Sequence, residues 1–241
     1  MTLKSFYGLL ISLLLCLFVS CASLPSAGKT ENEKIKYAYK TINVTEKLDY
    51  LESDIKYPEF DGFPELNKRI SNSILNNWKN FKSYSKTEWN DIIAMNNRGS
   101  AKLPSFEYLV TYEVSNSNDI ISVLINTYIF NGGAHGNTNL AAYNYQVSSS
   151  KFINIQQASG MTYNEISSIC RNHLYKKLID EAKSKMPPSE EDSLREMINT
   201  GAFPQAGNFE IFMIDDEKVY VYFEPYSVAP YSYGIQKIRV K

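Results

Sequence analysis

Residues 5–20 carry no charged side chain: Ser5 and the run FYGLLISLLLCLFVS follow a start whose sole cationic side chain is Lys4. A basic start and a short apolar stretch are the pattern of an export signal. A bilayer-spanning helix needs about 20 apolar residues. This run is shorter and gives way to polar sequence, so it reads as a cleaved leader rather than a permanent anchor. Whatever follows has to fold after export.

The end of the run is more specific. Phe18-Val19-Ser20-Cys21-Ala22-Ser23 resembles a lipobox, with an apolar residue at −3, a small one at −1 and cysteine at +1. Such a motif implies diacylglycerol on the Cys21 sulfur, cleavage before Cys21 and acylation of the new amine. Each buried methylene adds about 0.8 kcal/mol, and more than one chain is needed for firm anchoring. The expectation is a lipoprotein held to a membrane through Cys21, its folded part extracytoplasmic in the cell envelope. Ala22-Ser23 is not an acidic retention signal, so the outer membrane is the expected destination in a cell with two.

Loss of residues 1–20 takes Cys16 away and lipid occupies Cys21, leaving Cys170 without an intrachain partner. No disulfide frame is then available, and stability has to come from packing. The 221 residues left of 241 suffice for one large or two small domains. Eighteen Tyr and twelve Phe supply core material suited to half-exposed sheet. With Lys+Arg 25 against Asp+Glu 26 there is no basic stripe for nucleic acid.

Residues 21–40 read as a lipidated, polar tether. Thr41–Tyr57 alternates loosely, for a strand or two, and Tyr57–Gly62 reads as a turn. Pro64 suits a first helical position. Leu66, Ile70, Ile74, Trp78 and Phe81 then form a stripe for a helix of about twenty residues, with irregular sequence from Asp91 to Pro104. Phe106–Val114 and Ile120–Phe130 around SNSND predict a hairpin, and NGGAHGNT a glycine-rich corner. Leu140–Val147 and Phe152–Ile155 close this β region. Thr162-x-x-Glu165 matches a capping box, opening a helix through Ile166, Cys170, Leu174, Leu178 and Ala182. A short helix over 189–199 follows, then a hairpin of 208–214 and 218–223 around Asp215–Glu217, and a last strand after Gly234. Antiparallel sheet packed with two main helices is an α+β fold.

Two segments carry a family resemblance. Ile121–Thr138 (ISVLINTYIFNGGAHGNT) and Val219–Gly234 (VYVYFEPYSVAPYSYG) resemble the PdaC/RsiV-like family, a domain of unknown function shared by an anti-sigma factor and a deacetylase. Ile55–Trp78 resembles the small subdomain that commonly precedes it, which divides the chain into an N-terminal part over 41–105 and a C-terminal domain over 106–241. The resemblance implies an extracytoplasmic α+β module without catalysis of its own. In the anti-sigma factor it binds lysozyme; in the deacetylase it sits beside a separate peptidoglycan-acting domain. Only residues 1–4 precede the apolar run and two histidines cannot furnish the deacetylase metal set, so the expectation here is the module alone, with no cofactor and no metal. Relatives often carry an acid where Ser227 stands.

Among individual residues, His135 offers an imidazole in a loop, a side chain suited to acid–base and hydrogen-bonding roles, although it also fits a structural role between Gly132, Gly133 and Gly136, which permit unusual backbone angles. His173 and Cys170 fall on an amphipathic helix, where packing is the plain reading. Asp215–Glu217 reads as solvated turn charge, whereas Glu224 closes a strand beside tyrosines. Alternation sets Tyr220 and Tyr222 opposite Val219, Val221 and Phe223, which suggests an exposed tyrosine face. His135, Gly133, Glu224, Tyr226 and Tyr231 are accordingly the candidate binding residues. The expected function is binding of an extracellular protein, a lysozyme-like one by the resemblance, or a wall-derived ligand. The alternatives are a glycan-acting enzyme and a structural envelope lipoprotein.

Overall fold

The computed structural model describes residues 37–95, 105–181 and 186–241; Cys21 and its preceding run lie outside them. Nine strands form two sheets, six strands in sequential order and three more in sequential order. The first sheet holds β1 (Tyr39–Lys47), β2 (Leu51–Phe60), β3 (Phe106–Ser117), β4 (Ile120–Phe130), β5 (Asn137–Gln146) and β6 (Lys151–Phe152). The second holds β7 (Phe212–Asp215), β8 (Lys218–Phe223) and β9 (Gln236–Arg239). The α+β class is as expected.

Pairing is antiparallel except for β2 with β3, which run parallel. Parallel neighbours need a crossover, here α1 (Pro64–Met95), 32 residues long. The boundary drawn at 105/106 therefore lies inside one sheet. The predicted helix was too short, and Asp91–Met95 is helical rather than irregular. Its stripe continues past Phe81 through Ser85, Trp89 and Ile92, and Ser85, fully buried, hid the periodicity. Two further expectations change for the same kind of reason. The turn begins only at Asp61, because Tyr57–Phe60 keeps pairing with β1, and Ser115–Ser117 belongs to β3.

Four layers result. α1 buries Leu66, Ile70 and Ile74 against one face of the first sheet, where Val123 and Ile125 point. Leu124, on the opposite face of β4, meets Met213 and Tyr222 of the second sheet. Val219, Val221 and Phe223 on the far face of β8 pack on α3 (Tyr163–Leu174) and α4 (Pro188–Gly201). A buried polar network joins the sheets. Ser122 Oγ donates to Asn144 Oδ1 (2.6 Å) and accepts from the Ile214 N–H (3.0 Å), while Asn144 Nδ2 donates to the Phe212 carbonyl (2.8 Å). Such groups satisfy one another only in one relative placement of the sheets.

Layering overturns the exposed tyrosine face. Tyr222 is 5% exposed against Leu124, Leu140 and Met213, and Tyr220 is half-buried, because β8 is covered on both sides. Of the expected strand over 152–155 only Phe152 pairs, at the end of β6, and Ile155 already opens a short helix, α2 (Ile155–Ser159), capped by Asn154 and Gln157. The Thr162–Glu165 capping box forms as predicted, and the helix it opens becomes π-helical over Tyr175–Asp180, which buries Leu178 and Ile179 together. Ala206–Phe209 is a 3₁₀ turn, so β7 starts only at Phe212.

Candidate functional site

Three rings from two distant segments meet at one end of the sheets. The β4–β5 corner, residues 131–136, presents His135, and the segment after β8 presents Tyr226 and Tyr231. The His135 ring lies on the Tyr231 ring with centroids 4.0 Å apart and 20° between planes. Tyr226 stands 5.8 Å from Tyr231 at 33°. Offset stacking at such distances is worth about 0.5–1.5 kcal/mol beyond area burial, so the rings hold one another as a shelf.

Each side is fixed locally. Gly132 has φ +84°, closed to most side chains, whereas Gly136 is needed for space: a Cβ there would lie 2.2 Å from the Tyr128 ring. Gly133 needs neither, its nearest neighbour being 3.7 Å away, so of the three predicted glycines it alone is under neither constraint. His135 Nδ1 sits 2.8 Å from the Gly136 carbonyl. A carbonyl only accepts, so this nitrogen donates, and in the neutral ring Nε2 is left as an acceptor.

Across the shelf, Tyr226 occupies the left-handed region at φ +71° in a turn closed by its N–H to the Ala229 carbonyl (3.0 Å) and by the Ser227 N–H to the Glu224 carbonyl (3.1 Å). Over half of Tyr226 remains exposed (53%). A left-handed tyrosine costs on the order of 1–3 kcal/mol and persists where its surroundings over-determine it. Here Val228 and Ala229 are buried, and the Ser227 carbonyl rests on the backbone of Gly201.

Glu224 is half-buried and structural: its carboxylate accepts the backbone N–H of Leu140. β6 pairs only with Tyr145 and Gln146, so the edge of β5 at Leu140 would otherwise be open. A cleft of about 290 Å³ adjoins this carboxylate, lined by Thr200, Gln205, Asn208 and Ser227 among others. The shelf and the cleft share the 224–230 turn.

The remaining singled-out residues lie elsewhere. Cys170 is fully buried, and burial pushes its thiol up to about 12, an inert setting. His173 is exposed on α3. Asp215 and Asp216 are anchored rather than simply solvated: Asp215 accepts from Ser115 Oγ (3.2 Å) and Asp216 from Asn118 Nδ2 (3.4 Å). Among the described residues no three or more His, Cys, Asp or Glu side chains group as for a metal ion, and no helix is long and apolar enough to cross a membrane. The stacking of His135 on Tyr231 was not foreseen; the signal present was two unusual aromatic segments in one chain.

Comparison with known proteins follows the same two segments. A family described as deacetylase PdaC matches residues 44–138, and one described as a protein of unknown function, DUF3298, matches 161–241. The glycine corner falls in the first match and the tyrosine segment in the second, so both build the shelf. The chain is 29% identical over 138 residues to peptidoglycan-N-acetylmuramic acid deacetylase PdaC of Bacillus subtilis (strain 168), 56% of this chain but 27% of that protein. Two solved DUF3298 structures share the fold. One, from Bacteroides fragilis, has TM-score 0.58 and 16% identity, covering 85% of this chain and 90% of its own. The other, from Pseudomonas aeruginosa, has TM-score 0.53 and 14% identity, covering 86% and 91%. The chain thus carries, in order, a segment similar to the PdaC family and a segment similar to the DUF3298 family.

Proposed function

We propose that this chain is a non-catalytic cell-envelope lipoprotein, anchored through Cys21, whose shelf of His135, Tyr226 and Tyr231 binds a wall-derived ligand. The observation that carries the reading is the 4.0 Å stack of His135 on Tyr231, built where the two family segments meet and left open to solvent at Tyr226. Aromatic faces beside amide and hydroxyl groups suit a sugar, with the ring on the stack and its hydroxyls toward Gln205, Asn208 and Thr200. The relative that modifies peptidoglycan N-acetylmuramic acid favours the same ligand class. Glu224, the acid best placed for catalysis by sequence, is engaged by the Leu140 amide, which favours binding over turnover.

The exposed tyrosine also suits a protein partner, since tyrosine offers large contact area with few rotors. A lysozyme-like protein is therefore the second reading. Titration calorimetry of the full chain in detergent, against purified peptidoglycan fragments and against a lysozyme, separates them. Saturable binding to fragments is expected, weakened about tenfold or more by Tyr231→Ala, equivalent to about 1.4 kcal/mol. The same loss is not expected of Tyr84→Ala, an exposed tyrosine on α1. Binding to lysozyme alone moves the assignment to a protein receptor. Turnover of peptidoglycan that disappears in Glu224→Gln replaces both readings with an enzyme.

A further inference from the structure

A second cleft lies away from the shelf. It has a volume of about 430 Å³, within the range of small-molecule sites. Arg69 comes from α1, Asn144 from β5, Phe152 from β6, and Tyr163, Phe209 and Glu210 from the segments that follow. Arg69 falls in the first family match, Tyr163 and Glu210 in the second, and Phe152 between them. Clefts at such junctions are preferred ligand sites.

The charged groups carry the argument. The Arg69 guanidinium lies over the Phe152 ring at 4.4 Å, and Phe152 is itself held edge-on by Tyr145 at 5.3 Å. Stacking of this kind restrains the planar fork without using its N–H donors. Among the described residues, no carboxylate lies within ion-pair distance of Arg69 and no cation within that distance of Glu210. Both unpaired groups line the same cleft yet do not pair with each other. Tyr163, stacked on Phe209 at 12°, also keeps its hydroxyl without a protein partner, whereas the Asn144 amide is spent on Ser122 and Phe212.

We propose that this cleft is a second binding site, for a small zwitterion: an amino acid or short peptide with a free carboxylate and a free ammonium. The carboxylate takes the bidentate fork of Arg69, the ammonium faces Glu210, and an apolar side chain lies along Phe152. The requirement for both charges follows from one unpaired group of each sign, so neither a simple anion nor a simple cation completes the site.

Titration calorimetry of the full chain with alanine, with alanyl-alanine, and with the C-terminal amide and the N-acetyl form of that dipeptide tests this. Saturable binding of alanine or the dipeptide is expected, weakened about tenfold or more by either blocking group and by Arg69→Gln, as for loss of a charge-assisted bidentate pair. Alanine binding more tightly assigns free amino acids; the dipeptide binding more tightly assigns peptides. Arg69 and Glu210 are exposed, so Arg69→Gln and Glu210→Gln should leave the thermal midpoint unchanged, and that control accompanies each titration. No saturation at millimolar ligand, or affinity indifferent to Arg69→Gln, overturns the proposal. Tyr231→Ala must leave this binding intact; equal loss there removes the claim of a separate site.

Discussion

Gly201→Ala should uncouple the shelf from the core although Gly201 is not part of the shelf. Gly201 is the last residue of α4, and a Cβ there would stand 1.9 Å from the Ser227 carbonyl oxygen and 2.8 Å from Val228 Cγ1. Carbon and oxygen approach comfortably only to about 3.3 Å, so the turn has to retreat by more than an ångström. It is poorly able to do so. Its two hydrogen bonds close the loop, and Val228 and Ala229 are locked in the core. Overpacking of this kind costs about 1–3 kcal/mol, while alanine regains at most about 1 kcal/mol over glycine in a helix. The net expectation is a loss of about 2 kcal/mol, or roughly 4–8 °C in Tm for a chain of this size. Urea unfolding followed by tryptophan fluorescence measures the first and calorimetry the second. Gly207→Ala, with nothing within 4 Å of the added carbon, is the control and should be near neutral. Because Tyr226 and Tyr231 ride on the displaced turn, affinity at the shelf should fall as well. A Gly201→Ala protein as stable as Gly207→Ala, with full ligand affinity, would falsify the close-approach argument.

Ser85→Ala should stabilise the chain by about 1 kcal/mol, since it deletes a fully buried hydroxyl that has no partner; a lower urea midpoint would contradict this. Asn144→Ala should cost about 2–4 kcal/mol by stranding Ser122 Oγ and the Phe212 carbonyl, and with Ser122→Ala the two losses should be clearly non-additive. For Cys170 the sign follows from its raised folded pKa. Below pH 9 the thiol is protonated in both states; above it the unfolded chain loses the proton while the folded one keeps it to about 12. Stability should therefore fall with rising pH across that window, by at most about 1.4 kcal/mol per unit, and Cys170→Ala should flatten the slope. Tyr108, likewise raised to about 12 by burial, leaves a residual slope in its own range. Gly136→Ala should lower the thermal midpoint and shift Tyr128, whereas Gly133→Ala should do neither, as amide spectra of the corner would report.

Local sequence signals reached the structure wherever the physics was local. The Thr162–Glu165 box, the Pro64 start, the β3–β4 hairpin and the apolar stripe through Ile74 depend on neighbours within a few residues, and all appear as expected. Misreadings occurred where a distant element supplied the reason. Ser85 looked like the end of a stripe because its burial depends on a sheet that the helix has to cross. Tyr220 and Tyr222 looked exposed because alternation gives two faces of a strand without saying that both are covered. Glu224, a candidate binding residue by sequence, also closes the open edge of β5, a contact that its own strand does not foretell.

What the sequence determined by itself was the α+β class, the existence of most helices and strands, and a core in which Cys170 packs as a free thiol. Periodicity, capping and composition act along the chain and are written in it. Tertiary structure alone decided the parallel join of β2 to β3, the polar network at Asn144, and the placement of Tyr231 on His135. It also left Arg69 and Glu210 unpaired in one cleft. These depend on which residues far apart in the chain come to share a surface, and packing settles that.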